Sequence, residues 1–162
     1  MAVPDFPDSV VPKLDEWLSV LKSTIGQYGE GILIGHSLGG LLAIQYLLSG
    51  GQAPKVILAD TPFQKADILP GLDDFFSEPE AIKSLRQAEF TPTSSVDRMI
   101  ELVKDEAEPK PTEFIIIQSD NDPIVLAEDA KKWAKALDAK LIILPGLGHL
   151  YGDTLPEILD YL

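Results

Sequence analysis

GILIGHSLGGLLAIQYLL, residues 31–48, decides how the rest of the chain reads. Gly31 to Ile34 is a short apolar run of the kind a buried parallel strand needs. A glycine-bounded turn, Gly35-His36-Ser37-Leu38-Gly39, follows it. Leu38 to Leu48 then reads as an apolar helix. Outward from this strand–turn–helix, similar apolar runs recur at Lys55 to Ala59 (KVILA), Glu113 to Gln118 (EFIIIQ) and Lys140 to Leu144 (KLIIL). Helical segments alternate with them. Val11 to Ile25 carries Leu14, Trp17, Leu18, Leu21 and Ile25 on one face, with Pro12 in the first turn and Gly26 and Gly29 ending it. Ile124 to Leu137 is a further helix, between the last two strands, and Leu155 opens a last one. Trp17 and Trp133 sit on helical faces that point to a core. Strands alternating with helices imply a parallel sheet joined by right-handed crossovers, a three-layer α/β/α fold of class α/β. In such sheets ligands bind beyond the carboxyl ends of the strands.

Residues 61–108 break the alternation. The segment is helical in character but interrupted by Pro62, Pro70, Gly71, Pro79 and Pro92, and it is too long for a plain connection. It reads as a helical cap or lid inserted into one domain, 1–162, with a longer helical crossover as the other reading. Phe63, Leu72, Phe75 and Phe76 are candidates to line an apolar substrate pocket there, or to pack the segment onto the core.

Composition removes several function classes. With 26 Asp+Glu against 13 Lys+Arg, the net charge of −13 repels phosphate backbones and anionic lipid. Neither nucleic acid nor a membrane is therefore an expected partner. No apolar run approaches the roughly 18 residues that span a bilayer, and the N-terminal stretch lacks the regions of a secretory signal. The chain has no cysteine, so disulfide scaffolds, thiolate metal sites and cysteine nucleophiles are excluded, and a cytoplasmic setting is expected. Two histidines without paired acidic spacing form no recognisable metal site.

Three segments carry chemistry, each past the end of a different strand. Gly35-His36-Ser37-Leu38-Gly39 matches G-x-S-x-G, in which a serine sits on a sharp, strained strand-to-helix turn. Small residues two before and two after it, with Gly40 giving further room, let strand and helix approach. The helix starting at Leu38 aims its first amides at the site, so the Leu38 N–H is a candidate oxyanion donor. A nucleophilic serine needs a base. His149, in PGLGH past the last strand, occupies a suitable loop, whereas His36 adjoins Ser37 on a turn where neighbouring side chains diverge. The base needs an orienting carboxylate. Asp122 in SDNDPIV follows the EFIIIQ strand. It is also a natural helix N-cap before Pro123, and Asp120 is the alternative acid.

GHSLGG, SDNDPIV and LGH, together with the early DEWL helix, resemble the small serine hydrolases of the retinoblastoma-binding-protein-9 (YdeN-like) type within the α/β-hydrolases, from Pro4 onward. The resemblance implies a cofactor-free hydrolase of carboxylic esters or related small acyl substrates, with Ser37, Asp122 and His149 as its catalytic triad. Relatives carry a strand–helix–strand unit ahead of the segment matching Pro4, and its loop supplies a second oxyanion donor. The resemblance therefore implies that the GILIG strand becomes a sheet edge here, open to a homodimer contact. A catalytically impaired fold used for binding, and acyl transfer to an acceptor other than water, are the alternatives.

Overall fold

The computed structural model describes residues 1–8, 12–63, 112–150 and 156–162. In chain order the elements are α1 (Leu14–Tyr28), β1 (Leu33–His36), α2 (Leu38–Leu48), β2 (Lys55–Ala59), β3 (Glu113–Ser119), α3 (Ala127–Leu137), β4 (Lys140–Leu144) and a 3-10 helix (Pro156–Tyr161). The four strands form one sheet in the order β1-β2-β3-β4, and every neighbouring pair is parallel. The parallel α/β expectation thus holds.

The core is split by the sheet. On one face, Trp17 and Leu21 of α1, Leu41, Ile44 and Leu47 of α2, and Trp133 and Leu137 of α3 pack against Val56, Leu58, Phe114 and Ile116. On the other, Ile57, Ala59, Ile115 and Ile117 meet Leu150, with Ile158 and Tyr161 of the 3-10 helix beside them. Strand alternation sends successive side chains to opposite faces, and both faces are apolar, so β2 and β3 read as unbroken hydrophobic runs. Both tryptophans are buried as expected. Their indole N–H groups find backbone acceptors: Trp17 donates to the Pro7 carbonyl at 2.7 Å and Trp133 to that of Thr61 at 3.1 Å.

Several boundaries differ from the sequence expectation. Helix α1 begins at Leu14, after Pro12 and Lys13, and passes through Gly26 to end at Gly29, whose φ of 87° suits a C-cap without a side chain. Val11 lies outside the described residues. The first strand is Leu33–His36 rather than 31–34, because its register on β2 runs Leu33↔Val56 to His36↔Ala59. It is an edge strand among the described residues, and Ile34 is 41% exposed where a fully buried strand was expected. The last segment is a 3-10 helix from Pro156. Of the expected lid, only Thr61, Pro62 and Phe63 fall among the described residues, so Leu72, Phe75 and Phe76 lie outside them. No described helix is long and apolar enough to cross a membrane.

The contact of β1 with α2 corrects the expected roles of the glycines. A Cβ on Gly35 would meet the Gly39 carbonyl oxygen and the Gly40 Cα at 2.5 Å, and one on Gly40 would collide with the Thr61 side chain. A Cβ on Gly39 would meet nothing within 4 Å. The close approach thus depends on Gly35 and Gly40, not on Gly39. Gly35→Ala is expected to lower stability by about 3 kcal/mol or more, since backbone must move. Gly39→Ala should raise it by about 0.5–1 kcal/mol through helix propensity. Denaturant unfolding of the two variants checks this, and equal effects would contradict the assigned roles.

Candidate active site

Ser37 stands between β1 and α2 with φ 51° and ψ −119°, a region that costs a non-glycine residue about 1–3 kcal/mol. The surroundings hold it there. Its N–H donates to the Ala59 carbonyl at 2.8 Å, extending the β1–β2 ladder, and its own carbonyl accepts from the Gly40 N–H at 3.0 Å. Although Ser37 is the N-cap residue of α2, its side chain makes no capping bond. The hydroxyl instead lies 3.0 Å from Nε2 of His149. Leu38 is the first residue of α2, so its N–H belongs to the helix-start amides that the helix itself cannot satisfy.

His149 is 3% exposed. Its Nδ1 lies 2.7 Å from Oδ2 of Asp122, which makes Nδ1 the protonated nitrogen and leaves the Nε2 lone pair facing the Ser37 hydroxyl. Ser37, His149 and Asp122 are therefore brought into one hydrogen-bonded chain. Asp122 uses its other oxygen too: Oδ1 accepts the N–H groups of Ile124 at 2.7 Å and Val125 at 3.0 Å. Asp122 thus binds the two amides that follow it as well as His149, but it is not the helix N-cap expected of it, because the N-cap of the next helix is Leu126. Helix α3 starts at Ala127 rather than Ile124. Burial pushes the Asp122 carboxyl up, but the hydrogen bonds from His149, Val125 and Ile124 outweigh it and hold the group below the ordinary carboxylate value.

The other residues of SDND act as a clasp. Asp120, the alternative acid, is exposed and accepts the Gly146 N–H at 2.8 Å. Asn121 Oδ1 accepts the Gly148 N–H at 2.8 Å and the Ser119 hydroxyl at 2.8 Å. The Ser119 Oγ in turn accepts the Leu147 N–H at 3.0 Å. These bonds tie the loop after β3 to the loop that carries His149, and so set the imidazole's position. Gln118, fully buried, donates to Asp122 Oδ2 at 3.3 Å and to the Val125 carbonyl at 2.9 Å. Its signal in the sequence was a polar residue ending an apolar strand.

His36 lies beside the chain but is held differently. Its Nε2–H donates to the His149 carbonyl at 2.7 Å, and the two rings are 4.8 Å apart. Burial, then the neighbouring His149, lowers its pKa and keeps it neutral. Phe63 packs edge-on against Trp133 at 5.0 Å, with its N–H on Asp129. These contacts pack Phe63 against the core on one side.

Sequence reasoning missed Asp60. It follows β2, is fully buried, and has a φ of 41°. Its Oδ1 accepts the Ser119 N–H at 3.0 Å, whereas Oδ2 lies 3.8 Å from Nδ1 of His149 and has no hydrogen-bond partner as a carboxylate. Burial raises its pKa most; the Ser119 N–H opposes this, and the Asp122 charge and hydrogen bond add to it, leaving the group at about 8. Atoms of His36, Asp60 and His149 that could ligate a metal lie within 4.8 Å of one another.

A family model described as serine hydrolase matches residues 5–155. No curated protein matches the sequence. Among solved structures, the ydeN gene product from B. subtilis is similar over 97% of this chain and 77% of its own, at 23% identity and a TM-score of 0.69. A meta-cleavage product hydrolase from Pseudomonas fluorescens is similar over 97% and 71%, at 17% identity and a TM-score of 0.63. A thermophilic esterase is similar over 93% and 70%, at 18% identity and a TM-score of 0.60. Identities this low speak to the fold, while the family match spans the serine turn, the clasp loop and His149 together. On that match and this architecture, the chain belongs to the serine hydrolase family and adopts the α/β-hydrolase fold.

Proposed function

We propose that the protein cleaves carboxylic esters or related small acyl substrates through an acyl-enzyme on Ser37, with His149 as base and Asp122 as its orienting acid. The observation that carries this reading is the unbroken chain from the Ser37 hydroxyl through both ring nitrogens of His149 to Asp122, at 3.0 Å and 2.7 Å.

In this mechanism the Ser37 Oγ attacks the acyl carbon while Nε2 of His149 takes the hydroxyl proton. The tetrahedral oxyanion is met by the Leu38 N–H at the positive end of α2. Asp122 stays ionised, as its lowered pKa favours, and stabilises the imidazolium. The bond to the leaving group then breaks, and His149 hands its proton to the departing oxygen. Water, deprotonated by the same nitrogen, attacks the acyl-serine, and the acid product leaves with Ser37 restored. No cofactor enters any step. A cytoplasmic setting goes with the reading, on the strength of the cysteine-free composition.

Hydrolysis of p-nitrophenyl acetate by the wild type should exceed that by Ser37→Ala by about 10³-fold or more. Labelling by a serine-directed phosphonate should also require Ser37. Equal rates and no labelling would move the reading to a binding fold. His149→Gln should lose activity to the level of Ser37→Ala. His36→Gln, which leaves the Ser37–His149–Asp122 chain in place, should stay within about tenfold of wild type. If the losses were reversed, His36 would be the base.

A further inference from the structure

Each of the four strands delivers one side chain to the same site: Ser37 after β1, Asp60 after β2, Asp122 after β3 and His149 after β4. Three of them have a role in the reaction above; Asp60 has none. A buried carboxylate oxygen with no donor is costly, so its position calls for a physical account.

The register supplies the position. The Asp60 N–H donates to the Ile117 carbonyl at 2.9 Å, and the Ser119 N–H donates back to Asp60 Oδ1 at 3.0 Å. The β2–β3 ladder thus continues past its last paired residues through the side chain of Asp60. With Oδ1 fixed, Oδ2 is directed at Asp122 and at Nδ1 of His149, 3.8 Å away. The ionisable groups facing it among the described residues are His36 at the end of β1, Asp122 from the loop after β3 and His149 from the loop after β4. Two carboxylates in contact cannot both ionise cheaply. Asp122 is the one bound by His149 and two backbone amides, so it keeps the charge, and Asp60 keeps a proton. As an acid, Asp60 becomes a donor to Asp122, which resolves the orphaned oxygen. As a carboxylate, it becomes an acceptor for Nδ1–H of His149 after a small approach.

We propose that Asp60 is a second orienting acid for His149, a positioning residue stored as the neutral acid beside Asp122 and able, once ionised, to take the Nδ1–H hydrogen bond. The proton it loses passes to solvent base, and the site gains one negative charge next to the imidazole. The inference rests on the proposed roles of Ser37, His149 and Asp122.

The test compares Asp122→Asn with Asp60→Asn/Asp122→Asn. Losing an orienting acid with nothing to replace it costs about 10⁴-fold in kcat. With Asp60 available, the kcat of Asp122→Asn should recover as pH rises. It should exceed that of the double variant by about tenfold or more near pH 9, with KM unchanged. Independently of turnover, NMR titration of His149, assigned with His36→Gln, should show its imidazole holding its proton about one pH unit higher in Asp122→Asn than in the double variant. An imidazole titration unmoved by Asp60→Asn would overturn the proposal. If instead Ser37→Ala proved as active as wild type, the reading of Ser37 would fail while the NMR comparison still decided Asp60. Should the double variant not fold, Asp60→Ser/Asp122→Asn, smaller and equally unable to ionise, replaces it.

Thermal unfolding reads the stored proton directly. The folded-state pKa is raised, so the stability tied to this group is whole below the ordinary value of 3.8 and lost as pH rises through about 8. Asp60→Asn should therefore melt progressively higher than wild type across that window, and match it in acid. Parallel melting curves would show that Asp60 stores no proton, and the proposal would fall.

Discussion

The site depends first on a contact without side chains. Gly35 lies so close to the backbone of Gly39 and Gly40 that a methyl group has no room, and Gly40 is in turn closed in by Thr61 at the start of the next connection. This approach forces the chain to reverse within a residue or so, and Ser37 takes the left-handed conformation that results. Its strain is borne by the ladder bond to Ala59 and by the helix that begins immediately after it. With its backbone held by β1 and β2, the serine's hydroxyl lies 3.0 Å from Nε2 of His149.

The remaining members arrive on loops, and loops need holding. Here the clasp of Ser119, Asp120 and Asn121 binds three consecutive amides, Gly146, Leu147 and Gly148. His149 follows directly, between Gly148 with φ 59° and Leu150 with φ 51°. Its side chain is held by Asp122, its carbonyl by His36. The acidic and amide side chains that look like ordinary turn formers in SDND are spent on positioning, and each accepts bonds that only the folded loop can donate. The same economy explains Asp122: one oxygen binds the amides that lead toward α3 and the other holds the His149 ring.

Two carboxylates in a buried site give the electrostatics their asymmetry. Asp122 has four donors, from Ile124, Val125, His149 and Gln118, and is held below the ordinary carboxylate value, whereas Asp60 has one donor, on Oδ1. Their pKa values are pushed in opposite directions by environments a few ångströms apart, which is how neighbouring acids come to hold different protonation states.

The amino-acid sequence alone determined the alternation of apolar runs and helices, the parallel sheet it implies, and the order of serine, aspartate and histidine at successive strand ends. Those features are local: a period, a turn residue or a motif repeats within a few positions. Tertiary structure decided what local signals do not encode. Strand β1 extended to His36 because its partner reached Ala59, and α3 started only at Ala127, after a stretch in which the Gln118 side chain takes the Val125 carbonyl. Gly35 rather than Gly39 proved sterically required because the end of β1 faces the Gly39–Gly40 backbone of α2, whereas Gly39 faces open space. Asp60 reads in sequence as a turn residue after a strand. Only the order β1-β2-β3-β4 seats it between the serine and the histidine's carboxylate, since which strand ends become neighbours is settled by the pairing of the sheet and by no property of the residue itself.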